Sequence, residues 1–386
     1  MDATKSILWK GGMFMRTMTY VIVSFLMLFA GAEGLRAQED VQAKVLTAQD
    51  SLDYCMRQGQ KALLARQPMA AFRWYRRAVR YDSPSAFLAL GNCYYYGYGT
   101  PRDFDKAYRW FYKAASQGNT VAEYSMGCCY YYGRGVHRDG KQAAAWFRIA
   151  AEKGHPMSNF YLGCCYKDGD GVPCNYAKAV DLFEKAAADS ISAANYMLGA
   201  LYETKADGWQ ANPKKAFDYY RLSAMQGYAK AQYKLANYYE TGSGGTRDFS
   251  QARDWYLKAA RNGDANAQYR LGRCYYYGLI GTDIDYEEAY RWMAQAAAQN
   301  YSRAQYHLGM LYMNGDGVKQ DYSRAYANFR RSAEQGYAPA IYYLGRCYLN
   351  GYGVTANRRS AIECFREAAE AGNSSAKAEL LLLEPN

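Results

Sequence analysis

Several residue types and patterns that carry chemistry are scarce in this 386-residue chain. It contains only three histidines, and none of its ten cysteines forms a Cys-x-x-Cys pair, so the sequence does not indicate a zinc site. Beyond residue 37, no apolar run is long enough to cross a bilayer as a helix. Positive and negative side chains alternate instead of forming blocks, which is typical of solvated helix surfaces.

The first 37 residues have the features of a secretion signal. Lys5, Lys10 and Arg16 precede an apolar run at 20–32, and this run is too short to span a membrane. The sequence therefore predicts a secreted or periplasmic protein with no membrane span after cleavage. That location argues against nucleic acid as a partner.

The cleavage point and the start of the signal have alternatives. Cleavage after Ala37 fits the small-residue rule, cleavage after Ala32 fits it as well, and Met15 is a second candidate start. An uncleaved N-terminal anchor is the other interpretation. Loss of residues 1–37 removes four basic and two acidic side chains and changes the formal net charge from +11 to +9. A net positive charge of this size is compatible with an acidic glycan as a partner.

What dominates the chain is an internal repeat. The block Ala-x-Tyr-x-Leu-Gly-x-x-Tyr, followed by Gly-x-Gly and Lys/Gln-Ala-x-x-Trp, recurs about every 36 residues. Its first position is occupied by Ala86, Ala122, Ser158, Ala194, Ala231, Ala267, Ala304, Ala340 and Ala376. A period of this length predicts an all-α solenoid of stacked units, because one unit buries too little apolar surface to fold alone.

Each unit has the pattern of a helix–turn–helix hairpin. In residues 122–157, Ala122, Met126 and Cys129 fall on one side of a helix, and Gly133 follows its last turn. A second helix over about 141–153 carries an apolar side that includes Phe147. The first and second helices of a unit are therefore expected to pack against each other.

The repeat pattern divides the chain into four segments. We expect a signal peptide at 1–37, a divergent tetratricopeptide-like hairpin at 38–85, eight repeats at 86–375 and a C-terminal capping helix at 376–386. One unit departs from the pattern, because Lys205-Ala-Asp-Gly-Trp replaces its Gly-x-Gly turn. That loop is the expected local irregularity and a candidate functional loop.

Cysteines would suggest disulfides in a secreted chain, but their spacing argues otherwise. One repeat position holds Cys93, Cys129, Cys165, Cys274 and Cys347. Equivalent positions in stacked units lie roughly 9–10 Å apart, beyond the Cα separation of about 7 Å that a disulfide tolerates. The pattern favours a column of buried thiols, with Cys347–Cys364 and Cys165–Cys174 as the candidates for bonds.

The ordered motifs resemble the Sel-one-like repeat family, a branch of the tetratricopeptide-like solenoids. The resemblance covers about residues 86–376, where Leu90-Gly91, Tyr94, Gly97-x-Gly99 and Trp110 fall in order and then repeat. It implies a right-handed α/α superhelix whose first helices line a concave groove, and a role as an adaptor or scaffold. Some secreted members are cysteine-rich and associated with β-lactams, so the resemblance also implies a β-lactam hydrolase-like enzyme as a lesser alternative.

The helical pattern places three positions of each first helix opposite its buried side. Counted from the Leu/Met of the repeat, these are −2, +2 and +5, and they are rich in tyrosine, methionine and arginine. The predicted partner-binding groove consists of Tyr95, Tyr124, Tyr131, Tyr233, Tyr269, Arg273, Tyr276, Tyr306, Met310, Met313, Tyr342 and Arg346. Tyrosines offer large contact areas at low entropic cost. The alternative is that the −2 tyrosines pack against the neighbouring unit.

No motif indicates catalysis or a cofactor. The Gly-x-Gly turns close helices, Asp168-Gly-Asp170 lacks further calcium ligands, and Ser374-x-x-Lys377 has no partner motif. We therefore expect no catalytic, cofactor or metal site. The sequence favours a non-catalytic secreted scaffold that binds a protein or peptide in its groove. The alternative is a protein that binds glycan or cell wall through its tyrosines.

Overall fold

The computed structural model describes residues 47–206 and 208–384. The expected signal peptide at 1–37 lies outside the described residues, as does the first part of the segment at 38–85.

The described residues form nineteen α-helices and one 3₁₀ turn, Val79–Tyr81, with no β-strand. The helices are α1 Ala48–Leu64, α2 Pro68–Ala78, α3 Pro84–Tyr96, α4 Phe104–Ser116, α5 Thr120–Tyr132, α6 Gly140–Glu152, α7 Pro156–Asp168, α8 Tyr176–Ala188, α9 Ser192–Glu203, α10 Pro213–Met225, α11 Ala229–Thr241, α12 Phe249–Arg261, α13 Ala265–Tyr277, α14 Tyr286–Ala298, α15 Ser302–Asn314, α16 Tyr322–Ala333, α17 Ala338–Asn350, α18 Arg358–Glu370 and α19 Ser374–Leu383.

These helices confirm the predicted all-α repeat solenoid. The chain divides into two compact units, one ending at Lys153 with α1–α6 and one beginning at Gly154 with α7–α19. Within each unit, a helix packs against the helices before and after it in the chain, most extensively against the other helix of its hairpin. No helix in the described residues is both long and apolar enough to span a membrane.

Short sequence signals begin and end the helices of each hairpin. The first helix α15 ends at Gly315, whose φ of +83° is left-handed and therefore suits glycine. The second helix α16 begins after Asp321, whose carboxylate accepts a hydrogen bond of 2.9 Å from the backbone N–H of Arg324. Asp or Asn occupies the same N-cap position before α4, α6, α8, α10, α12, α14 and α18.

A glycine in the first helix lets an aromatic ring of the second helix pack directly on its backbone. A Cβ atom added at Gly309 would lie 2.6 Å from the ring of Phe329, which is fully buried. Gly91, Gly127, Gly163, Gly199 and Gly345 face a buried phenylalanine or tyrosine in the same way. The Leu-Gly pair of the repeat therefore sets the distance between the two helices of a hairpin.

The second glycine of the Gly-x-Gly turn joins neighbouring hairpins. Gly317 has a φ of +64°, and a Cβ atom there would lie 2.1 Å from the carbonyl oxygen of Tyr286 in the preceding hairpin. Backbone cannot move aside as a flexible side chain does, so only glycine fits this contact.

Side-chain amides connect successive hairpins in the second unit. Gln305 is fully buried, and its Nε2 donates to the carbonyl oxygen of Ala297 at the end of the preceding hairpin. Gln335, after the second helix of the same hairpin, donates to Gln305 Oε1 at 2.7 Å. In the pairs Gln232–Asn262 and Gln268–Gln299 the later amide likewise donates to the earlier one, and in the pair Asn195–Gln226 the Nδ2 of Asn195 donates to Gln226. We call these four pairs the amide ladder.

All ten cysteines lie in the described residues and all are free thiols. The candidate bonds Cys347–Cys364 and Cys165–Cys174 are therefore not formed, and the structure has the predicted column of buried thiols instead. Burial raises the pKa of the Cys129 and Cys347 thiols to about 12, which keeps them protonated and unreactive at neutral pH.

The irregular loop between α9 and α10 is held by its tryptophan. Trp209 Nε1 donates to the carbonyl oxygen of Leu201 at 2.9 Å, and its ring contacts those of Tyr176 and Tyr202. Trp209 therefore packs against its own hairpin and against the preceding one instead of projecting away from them.

Candidate functional site

The predicted groove residues all lie on first helices. In the first unit they are Tyr95 on α3 and Tyr124 and Tyr131 on α5; in the second unit they are Tyr233 on α11, Tyr269, Arg273 and Tyr276 on α13, Tyr306, Met310 and Met313 on α15, and Tyr342 and Arg346 on α17. Tyr269 is buried, with 8% of its surface exposed, and the other residues are half-buried. They are thus less exposed than the helical wheel predicts.

The −2 tyrosines owe their burial to contacts within the stack. The ring of Tyr306 lies 6.0 Å from that of Phe329 in its own hairpin and 5.5 Å from that of Tyr337, which begins the next hairpin. The contacts Tyr124–Phe147, Tyr233–Tyr256 and Tyr342–Phe365 place other −2 tyrosines in the same way on their own second helix. The contacts of Tyr306 with Tyr337 and Tyr343 are the packing against a neighbouring unit that the sequence offers as the alternative, and the contacts with the second helix lie within one hairpin.

The +5 tyrosines are tied to the turn of the next hairpin. Tyr276 donates a hydrogen bond of 3.1 Å to Oδ2 of Asp316, the middle residue of a Gly-x-Gly turn. In the first unit, Arg134 in the equivalent turn donates to the hydroxyl of Tyr95 and lies over its ring. Burial and the Asp316 carboxylate raise the pKa of Tyr276 to about 12, so this hydroxyl stays protonated. The helical wheel missed these turn residues because they lie outside the helices.

Five rings form a continuous aromatic row across α13, α15 and α17. Neighbouring ring centres lie 5.6 Å apart for Tyr269–His307, 5.0 Å for His307–Tyr306, 5.7 Å for Tyr306–Tyr343 and 5.3 Å for Tyr343–Tyr342. His307 and Tyr343 were not predicted; both occupy the −1 position, where two aromatic residues in successive repeats were the available signal. Burial lowers the pKa of His307 to about 4, so its ring is neutral at physiological pH.

Two arginines flank the aromatic row. The guanidinium of Arg273 lies 6.0 Å from the ring centre of Tyr269 and 5.8 Å from that of Tyr277. The guanidinium of Arg346 lies 5.6 Å from the ring centre of Tyr343. These cation–π contacts hold both side chains against the protein, and within the described residues neither guanidinium forms an ion pair.

Tyr277, Met310 and Met313 complete this part of the molecule. Tyr277 is 48% exposed, and both methionines are half-buried beside the row. We call the aromatic row together with Arg273, Tyr277, Met310, Met313 and Arg346 the α13–α17 surface. It combines fixed aromatic rings, adaptable thioethers and two cations, which is a composition common at protein interfaces.

The first unit has a separate basic and aromatic pocket. Tyr94, Lys106, Arg109, Trp110 and Lys113 line a shallow cavity of about 380 Å³. Lys113 Nζ lies 5.2 Å from the ring centre of Trp110, and Lys106 Nζ lies 5.6 Å from that of Tyr94. The pocket thus presents ring faces and three cationic side chains together.

Residues suited to metal binding do not come together in the part of the chain that the structure describes. Over 47–206 and 208–384, no group of three or more His, Cys, Asp or Glu side chains could hold a metal ion. Asp168 is the last residue of α7, Asp170 lies in the turn that follows, and Ser374 begins α19.

Comparison with known families and structures shows where this architecture belongs. The Sel1 repeat family model matches residues 48–80, 84–119, 120–155, 156–190, 192–228, 229–264, 265–301, 302–337 and 338–373. The first of these matches covers α1 and α2, the hairpin that the sequence indicates to be divergent. Sel1 repeat proteins generally mediate protein–protein interactions and are generally non-catalytic.

Two solved structures resemble the chain over most of its length. The protective antigen c5321 of uropathogenic Escherichia coli is 31% identical, with a TM-score of 0.63, and the match covers 93% of this chain and 78% of that one. A Sel1 repeat protein from Oxalobacter formigenes is 30% identical, with a TM-score of 0.61, and the match covers 86% of this chain and 94% of that one. No curated protein sequence matched the chain. The repeats, their helix pairs and these matches together show that the chain belongs to the Sel1 repeat family.

Proposed function

We propose that this chain is a non-catalytic scaffold that works outside the cytoplasm and binds a protein or peptide partner on its α13–α17 surface. The single observation that carries this proposal is the aromatic row, flanked by two arginines and bordered by methionines, on three successive first helices. The family's general role in protein–protein interaction supports it.

The energetics of the α13–α17 surface favour binding. Tyr306 is fixed by Phe329 and Tyr337, so ordering its ring on contact with a partner costs little conformational entropy. Tyr277 presents an exposed ring, and Met310 adapts to varied shapes. Burial of such rings at the centre of an interface contributes most of the affinity in known complexes.

Two observations support a location outside the cytoplasm. The N-terminal 37 residues have the order of basic, apolar and small residues that secretion signals show. The E. coli relative is a protective antigen. Fractionation of cells that make the full chain, followed by N-terminal sequencing, tests this: a mature protein in the periplasm or medium that starts at Gln38 supports it, and a full-length cytoplasmic protein overturns it.

Partner capture tests the binding surface. Tyr277→Ala combined with Met310→Ala should lower recovery of a cross-linked partner, identified by mass spectrometry, by at least about tenfold, because both side chains are accessible on the surface. Arg331→Ala is the control, since Arg331 is exposed on the second helix α16. Equal recovery with the double variant and with the control would contradict the proposal.

A second candidate function rests on the first unit. The pocket lined by Tyr94, Trp110 and three cations offers stacking faces and positive charge, which suit an acidic glycan or cell-wall polymer. Retention of the protein on purified peptidoglycan at low salt, with loss in Trp110→Ala, would support this function. Absence of retention on peptidoglycan and on acidic polysaccharides would exclude it.

A further inference from the structure

We propose that the segment recognised by the α13–α17 surface is acidic and extended, with two carboxylates that pair with Arg273 and Arg346 across a central apolar residue. This inference rests on the proposed function, because it specifies the partner of the same surface.

In the part of the chain that the structure describes, the two arginines contact tyrosine rings, whereas neighbouring cations pair with carboxylates. Arg270, one turn before Arg273 on α13, is paired with Glu240 on α11, and Lys234 Nζ on α11 lies 2.7 Å from Glu203 Oε2 on α9. Among the described residues, no carboxylate forms an ion pair with Arg273 or Arg346. The surface therefore carries two uncompensated positive charges at fixed places.

The carboxylates near this surface are already engaged or lie at its edge. Asp316 accepts hydrogen bonds from Tyr276 and Asn314, and Glu379 on α19 lies 3.5 Å from the hydroxyl of Tyr342. His307 is neutral because burial lowers its pKa to about 4. A ligand that brings its own carboxylates thus competes with neither of these two side chains for the arginines.

Repeat geometry sets the spacing of the ligand groups. Arg273, Met310 and Arg346 occupy the same +2 position on α13, α15 and α17. The rings of α13 meet those of α15, and the rings of α15 meet those of α17, so successive first helices lie about 10 Å apart and the two arginines are separated by roughly 20 Å. An extended chain rises about 3.3 Å per residue, so two acidic residues about five or six positions apart match both arginines. Met310, midway between the arginines, favours an apolar residue at the middle of the segment.

Arginine stacked on tyrosine is well prepared to bind a carboxylate. The planar guanidinium offers parallel N–H groups that hold both oxygens of one carboxylate, and the ring contact restricts its rotation before binding. The charge pairs also give a clear signature, because their contribution falls as salt screens them.

Fluorescence anisotropy with synthetic peptides and the mature chain tests this inference. The acidic probe carries two glutamates about six residues apart with a leucine midway, and the comparison probes carry glutamine or lysine in place of glutamate. We expect the acidic probe to bind at least about tenfold more tightly than the glutamine probe at low salt, and to weaken as salt rises. Equal affinity for the acidic and glutamine probes would overturn the inference.

Variants separate charge recognition from loss of folding. Arg273→Glu with Arg346→Glu should abolish binding of the acidic probe and create binding of the lysine probe, a gain that unfolding cannot produce. Arg331→Ala, on the second helix, should leave both affinities unchanged. The inference fails if two results are found together. The wild type binds the acidic probe no better than the glutamine probe, and the charge-reversed protein binds neither the acidic nor the lysine probe.

The binding function and the acidic inference fail in different ways. A partner captured through Tyr277 and Met310 whose binding is unaffected by the two arginine substitutions overturns the acidic inference and leaves the binding function standing. If the double arginine variant and the double Tyr277/Met310 variant lose partner capture to the same extent, both the binding function and the acidic inference are supported.

Discussion

At the residue scale, two glycines of the same hairpin have a left-handed backbone in different surroundings. Gly317 has a φ of +64° and no room for a Cβ atom beside Tyr286. Gly336 has a φ of +75°, and a Cβ atom there would have no described residue within 4 Å apart from its chain neighbours. Gly336→Ala should cost about 1–2 kcal/mol for the backbone conformation alone. Gly317→Ala should cost about 1–3 kcal/mol more, because the backbone contact must open.

Urea unfolding of the two variants, followed by circular dichroism, measures both costs. The difference between them isolates the contact at Tyr286 from the strain that both positions share. Equal destabilisation would show that the Gly-x-Gly turn needs only backbone freedom and that the second glycine does not join the hairpins.

His307 gives the stability of the second unit a specific dependence on pH. Its folded pKa of about 4 lies below the ordinary value of 6.5, so the unfolded chain takes up the proton first as the pH falls. Stability is therefore complete above about pH 6.5 and falls by up to about 3 kcal/mol as the pH drops toward 4. His307→Phe keeps a ring in the aromatic row and should remove this loss of stability between about pH 6.5 and 4, as measured by urea unfolding at several pH values. Parallel pH profiles for wild type and variant would contradict the assigned burial.

At the scale of elements, each pair of the amide ladder should couple the two helices of its hairpin, and the hydrogen bond from Gln305 to Ala297 should link that hairpin to the preceding one. Gln305→Ala leaves the carbonyl oxygen of Ala297 without its side-chain donor and removes the acceptor at 2.7 Å from Gln335 Nε2, at a cost of about 1–3 kcal/mol. A double-mutant cycle of Gln305→Ala and Gln335→Ala, measured by chemical unfolding, should give a coupling of about 1 kcal/mol. Additive effects would mean that the two amides stabilise their hairpin independently.

The helices could be predicted from the sequence because the residues that begin, end and pack each helix lie within one hairpin. Leu308 and Phe329 lie in the core where the repeat pattern puts them, and Gly315 ends α15 as the pattern predicts. Contacts between hairpins were harder to infer. The packing of Tyr306 on Tyr337 depends on how two units stack, and a helical wheel treats each helix alone.

Only part of the α13–α17 surface could be predicted, because some of its residues are grouped by contacts between hairpins. Arg273, Met310 and Arg346 share a repeat position, so periodicity was enough to group them. The −1 aromatics His307 and Tyr343 belong to the same surface only because the rings of adjacent first helices meet. Whether these residues bind a partner remains a prediction.

At the scale of the whole molecule, removal of one complete repeat should preserve the fold. Deletion of residues 302–337 joins Tyr301 to Ala338, and Tyr301 and Tyr337 occupy the same N-cap position. The shortened chain should keep its helical content per residue and unfold with lower stability, because stability in repeat proteins is a sum over units and their interfaces.

Deletion of residues 302–319 alone is the contrasting change. It removes α15 and leaves Phe329 on α16 without the glycine against which it packs. Circular dichroism and thermal unfolding should show lost helicity and a broadened transition for this variant. Equal helicity per residue in the two deletions would argue against hairpins as the units of folding.

Site-specific photo-crosslinking in living cells tests the central claim most directly. A photoreactive amino acid at Met310 on α15 should form crosslinks with a defined protein partner, and the same amino acid at exposed Arg331 on α16 should not. A partner that crosslinks from Met310 alone is the result this account predicts. Crosslinks from both positions in equal yield, or from neither, would contradict a binding surface on the first helices.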